Sequence, residues 1–469
     1  MAALTRRASV GLALLALALP TSAQAKAGLT TGCAWSRPAI AYEVGKGKVQ
    51  EPKRKAPVPC LQVVSGRTSE SANVAVLPSG RILYAPLIGN DQPAPLDDEG
   101  PAEVAASDDG GHTWKLLNLG GQQRALEVPP WLDVDPQTHR IWFATALPDL
   151  CGAELSWSDD AGSSFTTNPL VGCPAMGSER VLEGPAPPGG AEPVGYPHVV
   201  YYCANLNDLS KSQLYCYRSL DGGTTFTSTG SHPDSPTPSG CETEHPARPG
   251  AVGTNGYLYF PVLQCGSLSV AISKNEAASW QFVHVTTADV EDLYTTSVAV
   301  DRSGNIYLTW IQGTGNPNSN PDGLSMDGVG RPYLSISRNH GQTWSKPEMI
   351  GPPGLAADTQ LIAISADSSR AGDITVSYLG NTNGGPLLDG YLTETSDALA
   401  RHALWWADTV DAPSQPLINS TLSTTFGNRL FVNTNTFAPD GDPWVAYHCA
   451  FTSPCPDERI GVVGYLSAR

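Results

Sequence analysis

The chain is poor in charge, and poorer in positive charge than in negative. Asp, Glu, Lys and Arg make up 16% of its 469 residues, with 28 basic side chains against 45 acidic ones. That shortage argues against nucleic acid and anionic membrane surfaces as partners, since both demand clustered Lys and Arg. After residue 25 no apolar run approaches the roughly 20 helical residues that span a bilayer, so no membrane insertion is expected. None of the cysteines forms a Cys-x-x-Cys pair, which argues against zinc ribbons and thioredoxin-like chemistry. The nine histidines show no metal-ligand spacing, and there is no Ser nucleophile elbow, phosphate loop or dinucleotide fingerprint. The string NSNPDG at 318–323 alternates oxygen ligands as a calcium loop would, but Val329 stands where a bidentate Glu belongs. A polar loop is the plainer reading, and neither cofactor nor metal is expected.

What is present points to export. Arg6 and Arg7 form a positive start, Val10 to Leu19 an apolar run, and Ala23-Gln24-Ala25 a small-residue cleavage signal. Residues 1–25 therefore read as a signal peptide, with general secretion favoured over twin-arginine export. The chain left after cleavage has 26 basic and 45 acidic side chains, net −19, as suits a soluble extracellular or periplasmic protein. Ten cysteines, an even number, fit structural disulfides in an oxidising compartment. Connectivity is not encoded in the spacing. Pairing of neighbours along the chain is the simplest hypothesis, since each pair then falls within one hairpin or at one sheet edge.

With 47 Gly and 40 Pro the chain is rich in turns, and its turns repeat. SDDGGHTW at 107–114 recurs as SDDAGSSF at 158–165 and SLDGGTTF at 219–226. It returns as SKNEAASW at 273–280 and SRNHGQTW at 337–344, with a decayed copy starting at Ser396-Asp397. The chemistry is that of a hairpin turn. Asp109, Asp160 and Asp221 accept backbone N–H bonds, Gly111, Gly162, Gly223 and Gly341 supply positive φ, and the closing aromatic plugs the space between sheets. Such residues brace a fold rather than carry out catalysis.

These octets resemble the Asp boxes, or BNR repeats, of bacterial and viral sialidases and related secreted propellers, over roughly residues 70 to 410. The resemblance implies an all-β fold, a single β-propeller of four-stranded blades. Blade number is read from inner hairpins, two apolar strands around a Gly/Asp turn. They stand at 74–86, 131–145, 252–262, 298–310, 364–378 and 435–447, with a diverged copy within 183–203. Seven hairpins against six octet positions favour seven blades, with six the alternative. One further strand, 460–466, lacks an outer neighbour. Leu61 to Ser65 from the N-terminal segment would supply it, so the expected division is 26–66 as closing segment and 67–469 as propeller.

Propeller sites gather where innermost strands begin. A short repeat stands just before those strands: Arg67 with Glu70, Arg124 with Glu127, and Arg180 with Glu183. Glu244 keeps the acid in the next repeat, and Asp292 follows at a similar point. Similarity to sialidases would make Arg67, Arg124, Arg180, Arg248 and Arg429 the available substrate-carboxylate clamps, since guanidinium forks bind carboxylates bidentately. It would make Tyr294 the nucleophile and Glu127, Glu183, Glu244 and Asp292 the candidate acids and bases. The structural alternative is that each Arg-x-x-Glu forms a salt bridge between blades. The function implied is a secreted sialidase-like glycoside hydrolase of exo-α-sialidase type, a monomer acting on glycans. A non-catalytic glycan- or protein-binding propeller is the other reading.

If the ten cysteines are staples, thiol titration of the denatured, unreduced exported protein gives essentially no signal. Two or more reactive thiols per chain would contradict the disulfide framework.

Overall fold

The computed structural model describes the chain from Gly28 to Ala468. The segments 34–36, 51, 69–71, 87–99, 102, 121–123, 126–129, 148–150, 174–178, 206–213, 231–249, 265, 291–295, 314–328, 356, 420–433, 451, 453 and 456–459 lie outside the described residues. So do residues 1–27 and 469, the expected signal peptide among them. Every regular element described is a strand, and no described helix is long and apolar enough to cross a membrane.

Four-strand antiparallel meanders succeed one another along the chain. Sheet I holds Ala72–Val76, Ile82–Pro86, Ala105–Ser107 and Lys115–Leu116. Sheets II to V repeat the order, beginning at Trp131–Val134, Arg180–Gly184, Ala251–Val252 and Thr296–Val300. Sheet VI starts at Ala357–Ala366, and sheet VII at Asn435–Phe437. Six of these sheets are four-stranded blades. Sheet VI is the exception, a seven-stranded sheet in which the same meander gains Ile40–Glu43, Gly47–Lys48 and Ile418–Asn419. The expectation of seven uniform four-stranded blades is corrected to that extent: six have this form, and the remaining place holds the enlarged sheet.

Burial explains the ring. First and second strands are largely apolar, and several are buried along their whole length, because both faces of each sheet are covered by neighbours. Seven apolar clusters fill the junctions, such as Leu83 and Phe143 between sheets I and II, or Tyr307 and Tyr378 between V and VI. The cluster of Val74, Tyr84, Trp444 and Val463 joins sheet VII back to sheet I. Closure is also covalent in connectivity: Val58–Thr68 from the N-terminal segment is the outer strand of sheet VII, paired with Ile460–Ser467 from Val58↔Ser467 to Thr68↔Ile460. The division drawn after residue 66 therefore falls inside this strand. The same segment also caps sheet VI, where Ile40–Glu43 pairs with Leu404–Thr409.

The octets form turns between third and fourth strands, with one hydrogen-bond pattern. In the first, the Ser107 hydroxyl donates to Asp109 Oδ1 at 2.8 Å and accepts from Gly111 N at 2.9 Å. Thr113 donates its N–H and its hydroxyl to the two Asp109 oxygens at 2.8 and 2.6 Å. Ser158, Asp160 and Ser164 repeat this, as do Ser219, Asp221 and Thr225. Where Asn275 and Asn339 replace Asp, the side-chain bond reverses: the amide donates to Ser279 or Thr343 at 2.9 Å. Positive φ is needed at two consecutive octet positions, so Ala161, Glu276 and His340 adopt it beside Gly162, Ala277 and Gly341. Arginines then tie each turn to the next sheet. Arg81 binds Asp108 and reaches the Ala161 carbonyl at 2.6 Å; Arg140 binds Asp159 and reaches the Gly222 carbonyl at 2.8 Å.

Four disulfides, Cys33–Cys60, Cys151–Cys173, Cys203–Cys216 and Cys449–Cys455, follow neighbour pairing. The fifth expected pair, Cys241 and Cys265, lies outside the described residues.

Deleting residues 26–68 should leave two unpaired edges, on sheets VI and VII, and give aggregation or a sharply lowered melting temperature. Trimming only 26–31 should be tolerated. A longer deletion that melts like the full chain would refute closure by this segment.

Candidate functional site

The first strands of all seven sheets stand around one central channel, which encloses about 520 Å³. Its wall runs on to Pro78, Pro136, His139, Ser369 and Pro439, so the cavity reaches the face that carries the first hairpin turns. A volume of this size is that of an ordinary small-molecule site, roughly 300–1,000 Å³.

Aligning the sheets by their strand pairing isolates what is unusual in the wall. Asp133 pairs with Trp142; the same place holds Ala75, Leu182, Ala251, Ala299, Ser365 and Thr436 in the other sheets. Glu183 occupies the next position, where the others have Val76, Val134, Val252, Val300, Ala366 and Phe437. Two acids from adjacent first strands thus stand at places that are otherwise small or apolar, and both line the channel.

Their surroundings hold protons on them. Burial pushes Asp133 up to about 7, with repulsion from Asp135 adding to it and the Val134 N–H, at 2.8 Å, opposing it. Burial also pushes Glu183 well above the usual carboxylate range, helped by Asp133 and Asp135, and its Oε2 is buried with no hydrogen-bond partner. Asp135 behaves oppositely. Burial would raise it, but bonds from His198 (2.7 Å), from Tyr196 and from the Gln137 N–H (2.7 Å) outweigh that and hold it at about 2. A permanent negative charge therefore sits behind two carboxyl groups that face the channel.

Of the sequence-derived candidates, the structure brings Glu183 into this wall and removes Arg180 from it. Arg180 is fully buried, with its guanidinium 4.5 Å over the Trp131 ring and its Nη1 donating to the Glu179 carbonyl. It offers no surface to a ligand, because the aromatic of the neighbouring first strand covers it. Arg67 lies in Val58–Thr68 and Arg124 in Arg124–Ala125, with only their backbones described. Glu70, Glu127, Glu244, Arg248, Asp292, Tyr294 and Arg429 lie outside the described residues, as does the NSNPDG string. Arg81 and Arg140 link neighbouring sheets by hydrogen bonds to backbone carbonyls, each while paired with an acid of its own sheet. Asp133 was missed. Its signal is an acid at an inward position of an apolar strand, visible only once the sheets are in register. Among the described residues no group of three His, Cys, Asp or Glu could hold a metal ion.

No family model matches the sequence, and no curated relative does. Among solved structures, the chain is similar to the NanB sialidase of Streptococcus pneumoniae, at 13% identity over 86% of this chain and 68% of that one, with a TM-score of 0.43. It is similar to the α-L-arabinofuranosidase Arb93A of Fusarium graminearum, at 14% identity over 92% and 98%, TM-score 0.44. A fucose-specific lectin from Aleuria aurantia matches at 15% over 76% and 99%, TM-score 0.44. The propeller assignment rests on this chain's own sheets.

The carboxyl groups fix the pH response. Burial raises Asp133 and Glu394 to about 7 and Asp373 and Asp408 to about 6. Stability from these groups is fully present below the ordinary carboxylate range and is lost as pH rises through about 6 to 7. Asp135, at about 2, acts in the opposite sense: its contribution is present above its ordinary value and lost only as pH falls towards about 2. Melting temperatures from calorimetry should therefore be higher near about pH 5 than near about pH 8. A maximum on the alkaline side would contradict the protonated carboxyls.

Proposed function

We propose that this protein is a secreted carbohydrate-active propeller of the Asp-box kind, a glycoside hydrolase releasing terminal sugars at its central channel. The observation that carries this is the pair Asp133 and Glu183. Two carboxyl groups of raised proton affinity stand where the other first strands carry small or apolar residues. Glycosidic cleavage needs one carboxylic acid to protonate the leaving oxygen and one carboxylate to act as base or nucleophile. Neighbouring acids that repel each other share protons unequally, and that supplies both forms near neutrality. The octet turns and the disulfides support the secreted Asp-box reading, and the long range of sheet contacts within one chain suits a monomer. Residues 1–25 remain the proposed export signal. The exo-α-sialidase form of the reaction would call on Arg67, Arg124, Arg248 or Arg429 as carboxylate clamps, with Tyr294 as nucleophile.

A non-catalytic glycan-binding propeller is the second reading. It is favoured by one observation: among the described channel-lining residues no tyrosine stands beside the acids.

A panel of fluorogenic glycosides, sialoside included, separates these readings. Hydrolysis of one member is expected, lost in Glu183→Gln and in Asp133→Asn with melting temperatures at or above that of the parent. The amides remove a buried ionisable group, so the fold does not suffer. Variants as active as the parent would move the chemistry elsewhere. A panel without hydrolysis, alongside binding on a glycan array, would decide for the lectin-like reading.

A further inference from the structure

We infer that the channel accepts a glycan unit that carries no acidic group, and that it prefers an amine-bearing sugar over a carboxylated one. This rests on the reading of the channel as a glycan site and names the substrate class of that site. Four observations converge on it. Asp133 and Glu183 line the cavity together, and Asp135 behind them is held ionised by His198 and Tyr196. Glu183 Oε2 is buried and has no hydrogen-bond partner, so a ligand group that reached it would satisfy a polar atom the protein leaves unpaired. Arg180, the cation nearest this wall in sequence, is turned away and stacked on Trp131. No lysine or arginine is found among the described residues lining the cavity, where His139 is the one ionisable nitrogen.

An anionic sugar would add its charge to the fixed charge of Asp135 and to that of whichever of Asp133 and Glu183 is ionised, in a site where burial weakens solvent screening. A hydroxyl would donate to the free Glu183 oxygen. An ammonium would do so and also relieve the repulsion between the acids, which makes it the better guest. Ser365 and Thr436 add neutral polar groups to the wall, and Asp367, paired with Arg370, adds a further acid to it.

A glycan array carrying neutral, amino-sugar and sialylated or uronic-acid glycans tests this with the whole exported protein. Amino-sugar glycans should bind best and neutral ones next, with carboxylated glycans about tenfold or more weaker, the size of effect expected for one added like charge. The doubly substituted Glu183→Gln, Asp133→Asn protein should lose that discrimination, with amino-sugar and carboxylated glycans bound alike. Salt should weaken the amino-sugar preference, since it is electrostatic. Sialylated glycans bound as tightly as neutral ones would overturn the inference and leave the glycan-site reading intact. Discrimination unchanged in the double variant would also overturn it, because another part of the protein would then be its source. Absence of binding to all three classes would instead remove the glycan-site reading, and the inference with it.

Discussion

Everything in this fold depends on pairing between Val58–Thr68 and Ile460–Ser467. A propeller sheet is apolar on both faces, so each one needs a neighbour on either side, and a row of such sheets always leaves two bare faces at its ends. Bending the row into a ring disposes of them, but only if something holds the last sheet to the first. Here the last sheet is completed by a strand that leads directly into sheet I. Opening the ring would therefore break a strand ladder and expose the cluster around Val74 and Trp444 at once. The Cys33–Cys60 disulfide ties the same strand to residues further upstream.

Much of this was legible in the sequence because it is local. An octet turn closes within eight residues, its Ser and Asp side chains accepting the backbone N–H groups of its Gly and Thr. Its identity survives even where Asn275 and Asn339 reverse one bond. The inner hairpins show the same locality, and the four disulfides span single hairpins or edges. What the sequence did not reveal depends on register between distant segments. Nothing in the stretch at 40–43 distinguishes a strand for sheet VI from linker, because its partner Leu404–Thr409 lies at the far end of the chain. The periodic Arg-x-x-Glu did not follow the register of the sheets: Arg67 lies in the outer strand of sheet VII, Arg124 in the short strand Arg124–Ala125, and Arg180 at the start of a first strand. Arg180 turns toward Trp131, which arrives from the preceding sheet.

The arginines that do bridge sheets show why periodicity alone misassigns roles. Arg81 and Arg140 open second strands, next to octets whose second residue is Asp108 or Asp159. Each forks onto its own acid and spends its remaining N–H on a carbonyl of the next octet, at Ala161 or Gly222. That carbonyl is available because the octet turn leaves it without an internal partner. The turn chemistry thus creates the acceptor, and the bridge follows from the turn.

The channel acids call for a different explanation, because no structural need accounts for them. Five other sheets manage the Asp133 position with alanine, leucine or serine at the equivalent strand pairing, and sheet VII does so with Thr436. Replacing Ala or Val by a carboxyl there costs desolvation, and placing the two acids in adjacent strands adds repulsion. A brace would pair such acids with cations, as Arg218 pairs with Glu276 between sheets III and IV. At Glu183 one oxygen is left without a hydrogen-bond partner, and Asp135 behind it is fixed in its charged form, which worsens the repulsion. An arrangement that raises proton affinity in two groups facing a cavity, at a cost to the fold, is what acid–base chemistry or recognition of a hydrogen-bond donor requires. Packing alone would have kept the valine and the alanine.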